Sequence, residues 1–281
     1  MSINWFPGHM AKTGRLISDN LKLVDIVIEL LDARMPKASE NSLVSKLVGN
    51  KPRLIVLNKA DMADERVTDK WLSYYKNSGK AVVAVNSSDQ KGLNKIYEAM
   101  NEVLREKIER NKEKGLNFSM RTMVVGIPNV GKSSFINKIT RSGGAKTGNR
   151  PGITKGKQWV RLKEGYELLD TPGILMPKLE DQTAAARLAI AGSIRDEILN
   201  TEELSCILLG FLSEKYPDNL KERYGIIPDK EPYELLLEIG RKRGFVIKGG
   251  ETDELRTANM LLEEFRNGKI GRISLESPDE L

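Results

Sequence analysis

The sequence contains one cysteine and one histidine among its 281 residues. A single thiol, Cys206, cannot form an internal disulfide and cannot build a cysteine-based metal site. We therefore interpret Cys206 as a small core residue in a protein of a reducing compartment. No apolar run reaches the about 18 residues that a membrane-spanning helix needs. These absences exclude a disulfide scaffold, a zinc ribbon and a helical membrane protein.

Residues 1–10 also lack the basic cluster and apolar core of a secretory signal or transit peptide. We expect the protein to stay in the cytoplasm, without a membrane partner. Hydrophobic residues make up 40% of the chain, which is enough for a sizeable core in each of two domains. We expect the protein to be a monomer.

Basic residues exceed acidic ones, 45 against 39, which gives a net charge of +6 and favours polyanionic partners. One segment contains seven basic residues and no acidic one: Arg141, Lys146, Arg150, Lys155, Lys157, Arg161 and Lys163. We expect this segment to contact phosphates, either those of a nucleotide or those of RNA. A second cluster near the carboxyl end is either an RNA-binding patch or an ordinary solvated surface: Arg241, Lys242, Arg243 and Lys248.

Short apolar runs rich in Val and Ile alternate with helical patterns up to about Pro177. The runs predict strands at residues 24–31, 54–57, 81–85, 122–125 and 167–169. This alternation predicts an α/β fold with a mainly parallel sheet covered by helices on both faces. One helix is predicted to run without a break from Leu93 to Lys114. Only helical spacing remains after Pro177, so we predict one domain over residues 1–177 and a small helical domain over 178–281, with the last ten residues loosely held.

Residues 126–133, Gly-Ile-Pro-Asn-Val-Gly-Lys-Ser, match the phosphate-binding motif G-x-x-x-x-G-K-[ST] between a predicted strand and a predicted helix. The glycines allow backbone N–H groups to turn inward around phosphate oxygens at a helix N-terminus. Lys132 supplies a point charge to the outer phosphates, and the Ser133 hydroxyl binds Mg²⁺. The expected nucleotide contacts are Asn129, Val130, Gly131, Lys132, Ser133 and Ser134.

The string Asp170-Thr-Pro-Gly173 follows the predicted strand 167–169 and looks like the second switch of GTPases. There, Asp170 holds Mg²⁺ through water, while the Gly173 N–H faces the γ-phosphate. Thr154 lies in the loop between the P-loop helix and this strand, where a first-switch threonine binds Mg²⁺ and the γ-phosphate. The assignment of Thr154 rests on position alone, because loop threonines are common.

The string Asn58-Lys59-Ala60-Asp61 matches N-K-x-D directly after a predicted strand. In this motif the aspartate accepts hydrogen bonds from guanine N1–H and the exocyclic amine, and adenine offers neither in that geometry. Because charged hydrogen bonds contribute about 1.5 to 3 kcal/mol each, Asp61 favours GTP and GDP over ATP. The string Asn86-Ser87-Ser88 also follows a strand, at the place where GTPases contact guanine O6 through a backbone N–H.

The guanine-reading strings precede the P-loop, whereas ordinary GTPases carry the P-loop first, so the motif order is circularly permuted. Each motif alone has a plain alternative as a polar turn, but chance matches to all three come to roughly one in a million. Together with Trp5-Phe-Pro-Gly-His-Met10 and Asp32-Ala-Arg34, they resemble the circularly permuted GTPase family of ribosome assembly. The resemblance implies a P-loop GTPase that binds a late large-subunit precursor and its rRNA in the GTP state, promotes its maturation and leaves after hydrolysis. It also implies that the ribosomal particle stimulates hydrolysis.

The residue after Gly173 is Ile174, where many small GTPases carry a water-orienting glutamine. The replacement is His9, a cation held beside Asn129, or a group of the ribosomal partner. The family resemblance implies a catalytic role for His9 and K⁺ binding at Asn129. Two other functions stay open: a weakly hydrolysing GTP-binding RNA chaperone and a regulatory GTPase outside the ribosome. An ATPase is disfavoured by Asp61.

We predict that His9→Ala lowers kcat for GTP hydrolysis by about a hundredfold or more, because an imidazole can orient or accept from the attacking water. The affinity for GTP is expected to stay nearly unchanged. Single-turnover hydrolysis and nucleotide titration, both with the activating partner present, measure the two effects. A wild-type turnover number in this variant would remove His9 from the mechanism.

Overall fold

A computed structural model describes residues 17–86, 90–116, 118–142, 159–162, 165–169, 181–194 and 200–281. The chain forms two compact units. Where described, the sheet unit comprises Phe6–Asp61, Glu65–Lys178 and Glu276–Leu281, and the helical unit comprises Met62–Asp64 and Leu179–Leu275. No helix in the described part of the chain is long and apolar enough to cross a membrane.

The sheet unit is built on a six-stranded sheet with the strand order β3-β2-β1-β4-β6-β5. The strands are β1 (Ile26–Asp32), β2 (Arg53–Asn58), β3 (Ala81–Ala84), β4 (Met120–Gly126), β5 (Trp159–Arg161) and β6 (Tyr166–Leu169). Every neighbouring pair is parallel except β5 with β6, which is antiparallel. The mainly parallel sheet that the sequence predicts is confirmed, and its central strands β2, β1 and β4 are neighbours.

The central strand β1 is buried along its whole length, as expected when helices cover both faces of a parallel sheet. This burial includes a carboxylate in the middle of the strand, Glu29, which is 2% exposed. Arg53 of β2 donates to Glu29 Oε2 at 3.1 Å. Burial raises the pKa of Glu29, and the charge of Arg53 offsets part of that rise. The ion pair thus lets a charged residue occupy an interior position.

The helices of the sheet unit with both ends in the described ranges include α1 (Pro36–Ser39), α2 (Ser42–Val48), α3 (Glu65–Asn77), α4 (Gln90–Val103), α5 (Arg105–Glu113) and α6 (Lys132–Ser142). Helix α3 buries Thr68, Trp71 and Tyr75 at three- and four-residue spacing. The Trp71 and Tyr75 rings stack with their centroids 5.8 Å apart. An amphipathic helix with a narrow aromatic stripe therefore covers part of the sheet.

The helix predicted to run unbroken from Leu93 to Lys114 is two helices, α4 and α5, which are separated by Leu104. Helix α4 buries Leu93, Ile96 and Met100, whereas α5 has no buried residue. Backbone hydrogen bonds still link Leu104 N to Met100 O and Ile108 N to Leu104 O. The break falls where the buried stripe ends, since Leu104 is buried and no residue of α5 is.

The helical unit contains five described helices: α7 (Gln182–Ile190), α8 (Thr201–Lys215), α9 (Pro217–Tyr224), α10 (Pro232–Lys242) and α11 (Glu254–Arg266). Side chains cap three of them at the start. Asp181 Oδ1 accepts from Thr183 N at 2.8 Å. Asn200 Oδ1 accepts from Glu203 N at 2.9 Å, and Asp253 Oδ1 accepts from Arg256 N at 3.0 Å. Such caps satisfy backbone donors that a first helical turn leaves open.

The division of the structure differs from the predicted boundary in two short segments. Met62–Asp64 belongs to the helical unit, where Met62 O accepts from Ile273 N at 2.9 Å. Glu276–Leu281 belongs to the sheet unit, where the buried Glu276 carboxylate accepts from the N–H groups of Lys37 and Ala38. The expectation of a loosely held carboxyl end is therefore wrong, because one side chain satisfies backbone donors far away in sequence.

Replacing Glu276 by alanine is expected to lower the free energy of unfolding by about 1 to 3 kcal/mol, since it leaves the Lys37 and Ala38 N–H groups without their acceptor. Chemical denaturation monitored by Trp71 fluorescence measures the change. Asp279→Asn is the matched control, because its partner Lys70 is 53% exposed and a surface pair contributes little. Equal stability of the two variants would contradict the role given to Glu276.

Candidate nucleotide-binding site

Three loops converge at the carboxyl edge of the sheet because β2, β1 and β4 are parallel neighbours. Asp32 pairs in register with Asn58, and Leu30 pairs with Gly126. The segments that follow these strands are therefore brought together: residues 32–34, 58–61 and 126–133. In parallel sheets this edge is where ligands bind.

Asn58 joins the N-K-x-D segment to the P-loop. Its side chain is buried, and its Nδ2 donates to the Val130 carbonyl oxygen at 2.8 Å. The approach requires a glycine at position 131, because a Cβ there would lie 2.5 Å from Asn58 Nδ2. Gly131 also has a φ of +99°, which side chains rarely adopt. The second glycine of the P-loop thus serves the contact with Asn58.

Lys59 makes a second connection between the same two segments. Its Nζ donates to Asn129 O at 3.0 Å and to Asp32 Oδ2 at 2.9 Å. Both Lys59 and Asn129 adopt the left-handed backbone region, with φ of +59° and +56°. Such conformations cost energy outside glycine and persist where surrounding contacts determine them. Lys59 therefore holds two strained turns against each other.

The carboxylate of Asp32 is the centre of this network. Arg34 donates to it through Nε at 3.0 Å, through a terminal nitrogen at 2.9 Å and through its backbone N–H at 3.1 Å. Asp32 and Arg34 are each 1% exposed. Burial alone would raise the pKa of Asp32, but the charges and hydrogen bonds of Arg34 and Lys59 outweigh it and hold that pKa well below its usual range. The carboxylate is thus charged at any physiological pH.

Lys132 begins helix α6 and lies against the P-loop backbone. Its Nζ donates to the carbonyl oxygens of Gly126 and Ile127, both at 2.7 Å. Burial lowers the pKa of Lys132 to about 8. A nearby anion favours the charged form of an amine, so an anionic ligand at this position would raise the pKa again. The loop therefore offers a charge that is poorly solvated until an anion arrives.

Other predicted site residues lie near this edge without joining the network. Ala60 N donates to Val85 O at 3.2 Å and so links the N-K-x-D segment to the residue before Asn86, which is half-buried. Asp61 is exposed in the turn after β2. Ser133 and Ser134 are exposed in the first turn of α6. The remaining predicted residues lie outside the described part of the chain: His9, Ser87, Thr154, Asp170 and Gly173.

The structure gives Asp32 and Arg34 a role that the sequence analysis did not assign to them. The sequence analysis used them only as part of a family resemblance. A usable signal existed, because an acidic residue directly after a strand that neighbours the P-loop strand must lie at the ligand edge. The pairing of Asp32 with Lys59, 27 positions later, carries no sequence pattern.

Comparisons with known proteins agree on the kind of protein. The model of a family described as 50S ribosome-binding GTPase matches residues 121–237. Ribosome biogenesis GTPase A of Bacillus cereus is 45% identical, over 100% of this chain and 95% of the relative. The Thermotoga maritima protein of the same name is 34% identical, over 99% and 96%. A GNP-bound structure of YlqF from T. maritima has a TM-score of 0.66 and 32% identity and covers 95% of this chain and 99% of its own.

Asp32→Asn is expected to lower the free energy of unfolding by about 3 to 5 kcal/mol, because it leaves the buried Arg34 and the half-buried Lys59 without their counter-charge. The affinity for GDP is expected to fall at least about tenfold at temperatures where the variant stays folded, since the two loops lose their common anchor. Denaturation and fluorescent GDP titration measure the two effects. Glu40→Gln is the matched control, because Glu40 pairs instead with Lys37 and Lys80. A parallel loss of GDP affinity in both variants would contradict the specific role of Asp32.

Proposed function

The chain belongs to the ribosome biogenesis GTPase A family, and from that membership we propose that it binds a late precursor of the large ribosomal subunit in its GTP state, promotes maturation and dissociates after hydrolysis. It is a GTPase that converts GTP to GDP and phosphate. We further propose that it acts as a monomer in the cytoplasm and that the precursor particle stimulates hydrolysis.

The contact between the guanine-reading segment and the P-loop is the observation that carries this proposal. Asn58 and Lys59 donate to the carbonyl oxygens of Val130 and Asn129, so the two segments proposed to form the guanine-nucleotide site are in contact at one edge of the sheet. We propose that Asp61, Asn86 and Ser87 read guanine there. The P-loop residues Asn129, Val130, Gly131, Lys132, Ser133 and Ser134 are proposed to hold the phosphates.

The described residues fit a nucleotide with its metal ion. Asn58 Oδ1 is buried, and no residue that the structure describes donates to it, so this acceptor suits a donor from a ligand or from the rest of the chain. The exposed Ser133 hydroxyl at the start of α6 suits Mg²⁺, which prefers oxygen ligands. We propose that Thr154 and Asp170 complete the Mg²⁺ site, the latter through water. Bound Mg²⁺ would neutralise charge that develops on the phosphates.

For the hydrolytic step we propose that His9 orients the attacking water, because Ile174 cannot do so. A K⁺ ion at Asn129 is proposed as the second contribution, since a cation at the P-loop would stabilise the same developing charge. The hydrogen bond from Lys59 to Asn129 O supports this proposal, because it holds Asn129 in place although its φ of +56° is unfavourable. Both roles concern residues of this chain, so single variants can separate them.

We propose that the helical unit contacts ribosomal RNA. Its basic cluster is partly used internally: Lys242 donates to Gly225 O, and the Arg243 guanidinium lies 5.3 Å from the Tyr224 ring centroid. Arg241 and Lys248 are exposed and form no ion pair with any residue in the described ranges. The RNA contact is therefore proposed to centre on these two side chains.

Co-sedimentation with ribosomal particles tests the proposed function. With a non-hydrolysable GTP analogue, the protein is expected to be retained on large-subunit precursors, and with GDP it is expected to be released. Adding the purified precursor is expected to raise the GTP turnover number. Equal retention in both nucleotide states, or retention on free RNA alone, would instead favour a weakly hydrolysing RNA chaperone.

A further inference from the structure

A second charged feature of the sheet unit lies at the opposite ends of the strands from the P-loop. It is an open groove of about 640 Å³ beside the amino ends of β1 and β4. Two acidic side chains line it, Asp25 and Glu167. Four basic side chains also line it: Lys22, Lys51, Lys107 and Arg121. We call this feature the basal groove. The excess of positive over negative charge favours binding of an anion.

Asp25 is hydrogen-bonded to two other residues of the groove, Arg121 and Lys107. Its backbone N–H donates to Arg121 O at 2.7 Å, and its Oδ2 accepts from Arg121 N at 2.8 Å. Its Oδ1 accepts from Lys107 Nζ. Both carboxylate oxygens are thus committed, and they fix the groove wall rather than repel a ligand. Glu167 reaches Arg121 Nε at the longer distance of 3.4 Å.

Lys51 is the least exposed of the four cations. Its Nζ donates to the carbonyl oxygens of Leu21 and Val24. Burial lowers the pKa of Lys51, the charge of Asp25 opposes that effect, and the charge of Lys107 adds to it. An ammonium in such surroundings gains stability when an anion approaches.

Two of the cations are already positioned by aromatic rings. Lys107 Nζ lies 5.5 Å from the Phe118 ring centroid, and the Arg121 guanidinium lies 5.0 Å from that of Trp159. These side chains are still about half exposed, at 48% and 51%. Side chains that are held before binding lose less entropy on binding. Because the rings already face cations, they are poorly placed to stack on bases.

We propose that the basal groove binds the sugar–phosphate backbone of RNA without reading its sequence. The four cations come from separate elements: the segment before β1, the segment before β2, helix α5 and strand β4. Such a spread array matches successive phosphates of a chain better than one small anion. The inference rests on the proposed function, since the ribosomal precursor supplies the RNA. It adds a contact on the sheet unit at the opposite ends of the strands from the nucleotide edge.

The triple variant Lys22→Gln, Lys107→Gln, Arg121→Gln tests the groove. Lys51 is kept, because it satisfies backbone carbonyls. The control triple variant Lys46→Gln, Arg105→Gln, Lys112→Gln removes the same charge from exposed cations of the same unit that do not line the groove. The probe is fluorescently labelled poly(U), titrated over a range of KCl concentrations. GDP affinity is measured for every variant.

The groove variant is expected to bind poly(U) about tenfold more weakly at low salt than the control, with unchanged GDP affinity. Its slope of log K against log salt is expected to fall by about 2, because each lost phosphate contact on a single strand contributes about 0.7. If the triple variant does not fold, Lys22→Glu replaces it, since Lys22 forms no ion pair with the described residues. That variant is also expected to weaken poly(U) binding beyond a Lys46→Glu control.

Three outcomes would contradict the proposed roles of the groove or of the protein. If the groove variant and the control have equal poly(U) affinity and equal salt slope, the groove does not bind RNA. The proposed function still stands in that case, provided that the wild type is retained on precursor particles. Loss of particle retention with unchanged poly(U) binding would assign the groove to an acidic protein surface and overturn the RNA proposal. A wild type that binds neither particle nor RNA would contradict the proposed function itself.

Discussion

The buried carboxylate of Asp32 is the interaction on which the arrangement of the site depends. An isolated charge in a protein interior is costly, and Asp32 is stable there because Arg34 and Lys59 both donate to it. Lys59 in turn holds the P-loop at Asn129. Since the folded-state pKa of Asp32 is lowered, its stabilising contribution is complete above the unfolded pKa and is lost only as the pH falls through the folded one. The network is therefore constant across physiological pH.

Circular permutation leaves this geometry intact because the site depends on which strands are neighbours and not on their order along the chain. Asn58 and Val130 are 72 positions apart, yet β1 alone separates their strands in the sheet. Parallel pairing brings the carboxyl ends to one edge whichever strand comes first. Helices α4 and α5 form the long connection from β3 to β4. The break at Leu104 lies in this connection and not in a strand that carries the site.

The sequence predicted the sheet and the P-loop well because each has a local sequence pattern. The strands are apolar runs, and the P-loop has a fixed motif spacing. The position of Asp32 after a strand could have placed it at the ligand edge, but its pairing with Lys59 could not be predicted, since a pair formed by strand adjacency leaves no periodic pattern. Glu276 is a similar case, because a carboxylate that binds the N–H groups of Lys37 and Ala38 reads as an ordinary terminal residue. The prediction of one unbroken helix was wrong for another reason: helical propensity continues beyond Leu104, whereas burial ends there.

Lys132 and Lys51 lie at opposite ends of the strands, and burial lowers the pKa of both amines. Each donates to backbone carbonyls, which are weak substitutes for a full negative charge. The carbonyl partners of Lys51, Leu21 and Val24, lie in the segment before β1, at the opposite ends of the strands from the proposed nucleotide contacts. We therefore expect the proposed RNA contact of the basal groove to contribute equally in the GTP and GDP states.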